Sequence, residues 1–162
     1  MVRTDNIKTA EIKQLAENRQ NAVVKRLRIL LADEVVLYTR LRNYHWNITS
    51  ANFYSLHITL ENQLDGIAAA MDEVSKCIHR YESYVQITID EFVRKAHQDE
   101  GLGVFPDART MVANLAADHE TIIRRLHEDI KNSGDVDIAA VLTTLLHQHQ
   151  KMAWMLHKFL ED

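Results

Sequence analysis

Four residues in the first half of the chain have side chains that can hold a metal ion: His45, His57, Glu61 and Asp72. Imidazole and carboxylate groups are ordinary donors to transition metals. His57 and Glu61 are four residues apart and share one helical face. Glu61 and Asp72 are eleven apart, roughly three turns, so Asp72 falls on that face too. Along the helix, however, His57 and Asp72 are separated by ~22 Å, which no single ion spans. A shared site needs two copies of this helix running antiparallel across a two-fold axis. Pairing residue 61 with 72 centres the axis midway between 66 and 67, and pairing 57 with 76 gives the same centre. Gly66 lies at that crossing, where a missing side chain permits close approach. Spacing alone leaves a second reading open, in which His57, Glu61 and Asp72 are ordinary solvated or hydrogen-bonded residues.

Such a site has to be carried by long helices, and the apolar pattern supplies them. Val23, Val24, Leu27, Leu30, Leu31, Val35, Leu37 and Leu41, with Glu34 as an exception among them, predict a first helix over about 20–47. Phe53, Leu56, Leu60, Leu64, Ile67, Ala68, Met71, Val74 and Ile78 predict a second over about 52–82. Residues 83–105 form a long connection in which Thr88 to Ala96 can make a short helix. Pro106, at a first-turn position beside Asp107, opens a third helix running to about Lys131. Asn132-Ser133-Gly134 ends it. A fourth carries Val141, Leu145, Met152, Met155, Leu156 and Phe159, its methionines filling the core rather than binding a cofactor. Two long helices, a long crossover and two more helices make an all-α, ferritin-like four-helix bundle with a short helix between helices two and three. The chain divides into a basic N-terminal arm, residues 1–20, and a bundle domain, residues 21–162. Bundles of this class often hold two irons with inward-facing Glu-x-x-His motifs. Here Glu61, Glu73 and Glu120 are followed at that spacing by Leu64, Lys76 and Ile123, so a di-iron site inside one bundle has no support.

The remaining composition excludes other classes. A length of 162 residues suits one compact domain. Four glycines and one proline leave too few turn residues for an all-β or dinucleotide-binding chain. Gly101 to Gly103, the only G-x-G, lacks the third glycine and reads as a loop. The chain has no apolar run long enough for a membrane span and no apolar leader at its start. Cys77 stands alone, fits a reducing compartment, and reads as a small buried hydrophobe. A cytoplasmic protein is expected. His147 and His149 are two apart and point to different faces, while His79, His97, His119, His127 and His157 are assigned surface or capping roles.

Charge is distributed unevenly. Residues 1–28 carry seven cations, Arg3, Lys8, Lys13, Arg19, Lys25, Arg26 and Arg28, against Asp5, Glu11 and Glu17. That is +4, and with a net charge of −4 the remainder carries −8. Residues 1–20 are either a solvated terminus or, from Ile7, Ala10, Ile12, Leu15 and Ala16 with Asp5 as cap, a short amphipathic helix. No base-reading motif is present.

Asn43-Tyr44-His45-Trp46-Asn47, followed by Asn52-Phe53-Tyr54-Ser55-Leu56-His57, resembles the "HWN…NFxxLH" signature of the Dps family of mini-ferritins. Asp72-Glu73 resembles that family's later "D-E/x-x-A-E" segment, and Lys151-Met152-Ala153-Trp154-Met155-Leu156 its "K-x-A-W-M-L". The likeness runs from about residue 22 to the end. It implies a homo-dodecameric cage that oxidises ferrous iron, usually with hydrogen peroxide, stores the ferric mineral, and in many members coats double-stranded DNA during oxidative stress. By position, His45, His57 and Glu61 of one subunit and Asp72 of the partner subunit correspond to the ferroxidase ligands. There are no catalytic residues beyond these ligands, and Trp46 stands where the family places an aromatic residue beside the site. The departure is Lys76, at the position of a metal-bridging glutamate. A protonated lysine has donors and no lone pair, so it is expected to pair with Asp72 or Glu61 instead. Ser50 replaces a family glycine. Asp137-Ile138-Ala139-Ala140 replaces "A-T-A-D", which removes an acidic pore position at Ala140, with Asp135 and Asp137 close by as substitutes. Similar basic arms in the family contact DNA, which assigns Arg3, Lys8, Lys13 and Arg19 to that role.

Two functions follow. One is a nucleoid-associated cage that binds DNA without sequence specificity and stores iron behind an oxidation site impaired by Lys76. The other is an active ferroxidase that detoxifies Fe(II) and peroxide.

Overall fold

The computed structural model describes residues 2–81, 84–85, 88–96 and 105–161. Five helices follow in order: α1 Val2–Asn47, α2 Phe53–His79, α3 Ile89–Lys95, α4 Ala108–Asn132 and α5 Val136–Glu161. No strand occurs among the described residues. α1 and α2 form one hairpin and α4 and α5 another. The hairpins pack with α1 beside α4 and α2 beside α5, and the short α3 lies on α1. This is the expected all-α bundle with a helix in the crossover.

The first helix starts at Val2, not near residue 20. No glycine or proline precedes Gly66, and once nucleated a helix adds residues until something stops it. Its 46 residues span about 69 Å at 1.5 Å each. Every described side chain from Glu11 to Ala22 is exposed, and burial begins at Val23. Gly101 to Gly103 and His97 lie outside the described residues.

Local signals set the other ends. Thr88 caps α3 with its hydroxyl on the Glu91 N–H, and the Glu91 carboxylate accepts from the Thr88 N–H. Asp107 caps α4 by accepting from Thr110 N–H at 2.7 Å, so Pro106 stands before the cap rather than in the first turn. Gly134, at φ +63°, ends the α4 region in the left-handed conformation that favours glycine. Asp135 then opens α5, accepting from the N–H groups of Asp137 and Ile138. α2 ends at His79, slightly short of residue 82.

The core is aliphatic. Leu30, Leu37 and Leu41 of α1, Leu60, Ile67 and Ile78 of α2, Leu115, Ile122 and Leu126 of α4, and Leu156 of α5 are fully enclosed. Cys77 is buried as expected, and burial pushes its thiol up. Ion pairs stitch the α1–α4 seam: Arg40 holds Asp118, and Arg125 reaches across to Asp33 at 3.5 Å while also pairing along its own helix with Asp129 at 3.3 Å. Burial pushes the Asp118 carboxyl up even though Arg40 pulls it down. Asp118→Ala therefore strands a mostly buried guanidinium and is expected to cost about 3–5 kcal/mol. Joint replacement of Arg40 by Met and Asp118 by Leu recovers most of that loss. Urea midpoints of the single and double variants check it.

Candidate metal site

His45 lies in the last turn of α1, and His57 follows one turn into α2 after a link of five residues. Buried Ile48 anchors this link. The tight connection folds the two imidazoles face to face, with ring centroids 3.8 Å apart and planes inclined by 27°. The Phe53 ring is 5.0 Å from His57. Nδ1 and Nε2 of His45 and Nδ1 of His57 are buried with no hydrogen-bond partner among the described residues. Burial, reinforced by His57 and Arg42 and partly opposed by Glu61, holds His45 below the usual imidazole range. A neutral ring with a bare nitrogen is the form that binds metal. These donors fit a cation of the transition series.

Glu61 lies one turn beyond His57 and is exposed, and Asp72 is exposed three turns further on. Among the described residues, no group of three His, Cys, Asp or Glu side chains in one chain is arranged to hold a metal ion. The single subunit thus carries two imidazoles and one nearby carboxylate, with Asp72 and Lys76 at the other end of α2.

Within its own chain Lys76 does not pair with Asp72. Its Nζ donates to Glu73 Oε1 at 2.7 Å, one turn back on the same face. The side chain is 69% exposed, and the hydrogen bond and charge of Glu73 push its amine up, so it is an ammonium at neutral pH. Asp72 adds only a weaker attraction. Trp46, next to His45, is 68% exposed.

The space at Gly66 is also used within the chain. A Cβ there would overlap the terminal methyl of Met152 on α5, so the missing side chain admits an intramolecular neighbour. Asp135, a possible substitute for the pore acid, is committed elsewhere. Besides capping α5 it accepts the Tyr81 hydroxyl, and burial together with this bond pushes the Tyr81 phenol up to about 12. Asp137 pairs with Arg80 at 3.7 Å.

His119, given a surface or capping role, and His149 are both core residues. His119 and His149 are 0% and 1% exposed, and their Nδ1 atoms meet at 2.9 Å. His149 Nε2 lies 2.8 Å from Glu34 Oε1, and His119 Nε2 lies 3.3 Å from Gln63 Oε1. Each of the four long helices contributes one polar group to this layer. The signal was in the pattern: Glu34 lies between Leu30 and Leu37, Gln63 between Leu60 and Ile67, His119 between Leu115 and Ile122, and His149 between Leu145 and Leu156, all at core spacing. His79, His127 and His147 are exposed, and His157 meets Glu120 at 2.8 Å on the surface.

On the arm, Lys13 and Arg19 are exposed. The side chains of Arg3 and Lys8 lie outside the described residues. Arg26 turns back to Asp129 at 3.0 Å and is not part of a free basic surface.

Bundle, crossover helix and inward-stacked histidines define a ferritin-like protein, and the ferritin-like domain model matches residues 24–162. A DNA protection during starvation protein of Porphyromonas gingivalis is 30% identical over 155 residues, covering 94% of this chain and 97% of the relative. An uncharacterized low temperature-induced protein of Nostoc sp. is 32% identical, covering 91% and 84%. The X-ray structure of Dps from Thermosynechococcus elongatus superposes with a TM-score of 0.83 at 27% identity, covering 88% of this chain and 92% of that one. The chain belongs to the Dps family of mini-ferritins. No helix among the described residues is long and apolar enough to cross a membrane.

Proposed function

We propose that this chain forms a dodecameric cage that protects DNA without reading its sequence and stores iron behind an oxidation site weakened by Lys76. The observation that carries the metal part is the stacked pair His45 and His57, whose buried nitrogens have no hydrogen-bond partner among the described residues, with Glu61 one helical turn beyond His57. His45, His57 and Glu61 of one subunit with Asp72 of the partner subunit would hold ferrous iron as substrate. The two imidazoles supply neutral donors, and the two carboxylates balance its charge. The pairing of 57 with 76 and 61 with 72 about one centre brings Lys76 of the partner subunit to the same end of the site as His57. There its ammonium repels the cation and offers no lone pair.

The DNA part rests on the Porphyromonas relative and on Arg3, Lys8, Lys13 and Arg19. Residues 1–20 hold these four cations against three anions, only +1 per arm. Binding therefore depends on many arms acting together on one duplex. Phosphate contacts of this kind position DNA without specifying bases.

The assembly is checked by light scattering, which should give a mass of twelve subunits at micromolar concentration. A stable monomer would overturn both the cage and the shared metal site. Activity is checked by ferrous-iron oxidation with peroxide and with oxygen: slow turnover with both supports the weakened site. Fast turnover with peroxide favours the second reading, an active ferroxidase, which the retained His45, His57, Glu61 and Asp72 support.

A further inference from the structure

The layer across the bundle centre holds two imidazoles and a carboxylate that iron binding and DNA contact leave unused. We propose that Glu34, His149, His119 and Gln63 form an acid-operated latch, a hydrogen-bonded row that holds one proton between Glu34 and His149 and breaks when another enters it.

The hydrogen positions follow from what each atom can do. Gln63 Nε2 donates to the Met152 carbonyl at 3.2 Å, so the Gln63 amide turns its oxygen toward His119. His119 Nε2 must then carry a proton and donate to it. His119 is wholly buried, and burial with the adjacent His149 keeps it neutral, so its Nδ1 is a bare acceptor. The 2.9 Å contact at that atom requires His149 Nδ1 to donate. One junction remains, Glu34 Oε1 to His149 Nε2 at 2.8 Å. A single proton bridges it, whether the pair is written as carboxylate and imidazolium or as acid and neutral ring. Glu34 Oε2 is buried without a hydrogen-bond partner among the described residues and closes the row on α1.

The charged neighbours of the row on α1 and α4 are already paired. α2 contributes the uncharged Gln63. Asp33, beside Glu34 on α1, is held by Arg125 of α4, and Asp118, beside His119, is held by Arg40 of α1. One entry point for a second proton is His119 Nδ1. There it would set an N–H against the His149 N–H at a distance suited to a hydrogen bond, and it would place a new cation in an aliphatic core.

The direction of the pH response follows. An unfolded histidine takes up a proton near pH ~6.5, while folded His119 refuses it until much lower. Stability is intact above that pH. It is lost as pH falls below it, by about tenfold in the folding equilibrium per pH unit for this one group.

The test uses the full-length assembled protein. Denaturant unfolding is measured at about pH 7.5 and about pH 5.5 for the wild type and for His119→Gln. Glutamine offers a carbonyl toward His149 and an N–H toward Gln63 but cannot be protonated. The wild type should show the additional loss of about tenfold per pH unit, and the variant should lack it. Equal pH dependence in both would overturn the latch. Should the variant fail to fold, solid-state nitrogen NMR of histidine-labelled wild type decides. His119 protonated on Nε2 alone at neutral pH, with His149 protonated on Nδ1, supports the row. A proton on His119 Nδ1 rules it out.

Discussion

Lys76→Glu is expected to raise the rate of ferrous-iron oxidation by the assembled protein by about 10- to 100-fold, the range by which even supporting groups around a metal alter its affinity or activity. The substitution changes two things at once. It removes an ammonium that Glu73 now keeps charged, and it adds a carboxylate where the family resemblance puts a bridging ligand. Lys76→Ala separates them. If repulsion dominates, alanine recovers most of the gain; if the missing ligand dominates, alanine recovers little. Affinity is read independently by titrating the protein anaerobically with ferrous iron. The cage mass and DNA retardation should be the same in all three proteins, since neither the arm nor the core layer is touched. Crystals soaked in ferrous iron that show full occupancy beside His45 and His57 of the wild type, with Lys76 turned aside, would show that the lysine is tolerated.

The second large effect is expected at the arm. Deleting residues 1–20 should abolish retardation of duplex DNA while leaving the helical content and the mass of the assembly unchanged, apart from the removed residues. The deleted stretch ends before the core begins at Val23, and its described side chains from Glu11 onward are exposed. In the full-length cage, if on the order of 6–10 phosphates are neutralised together, affinity should fall by roughly 10³–10⁵ between 50 and 200 mM salt. A truncated cage that binds as tightly as the full chain would place the DNA contact elsewhere.

Much of the architecture was legible because aliphatic residues at helical spacing have few alternatives in a chain almost free of glycine and proline. Thr88 and Asp107 are capping residues whose chemistry depends on neighbours two or three positions away, so α3 and the start of α4 could be read locally. The start of α1 could not be placed. The described side chains from Glu11 to Ala22 form no buried stripe, and only the absence of a breaker shows that the helix continues. The site was half legible. His45 and His57 meet across a short link, which a signature captures, whereas Lys76 chooses Glu73 over Asp72 through side-chain geometry that spacing does not rank. His119, His149 and Glu34 were missed because they were judged as chemical groups rather than by position. Each occupies a core slot on its own helix, and only the packing of four helices brings those slots into one layer.

α1 is continuous from the arm to His45, and this makes the arm's direction a matter of phase. Nothing between Lys13 and Leu27 interrupts the helix to let the arm swing. The azimuth at which Lys13 and Arg19 leave the bundle is therefore inherited from the register that buries Val23 and Leu27. One residue inserted after Ala22 would turn the arm by about 100° and advance it only 1.5 Å, whereas four would bring it to within about 40° of its original bearing. Lengthening the arm and re-aiming it are separate operations on this molecule, distinguished by whether the number of added residues completes a helical turn.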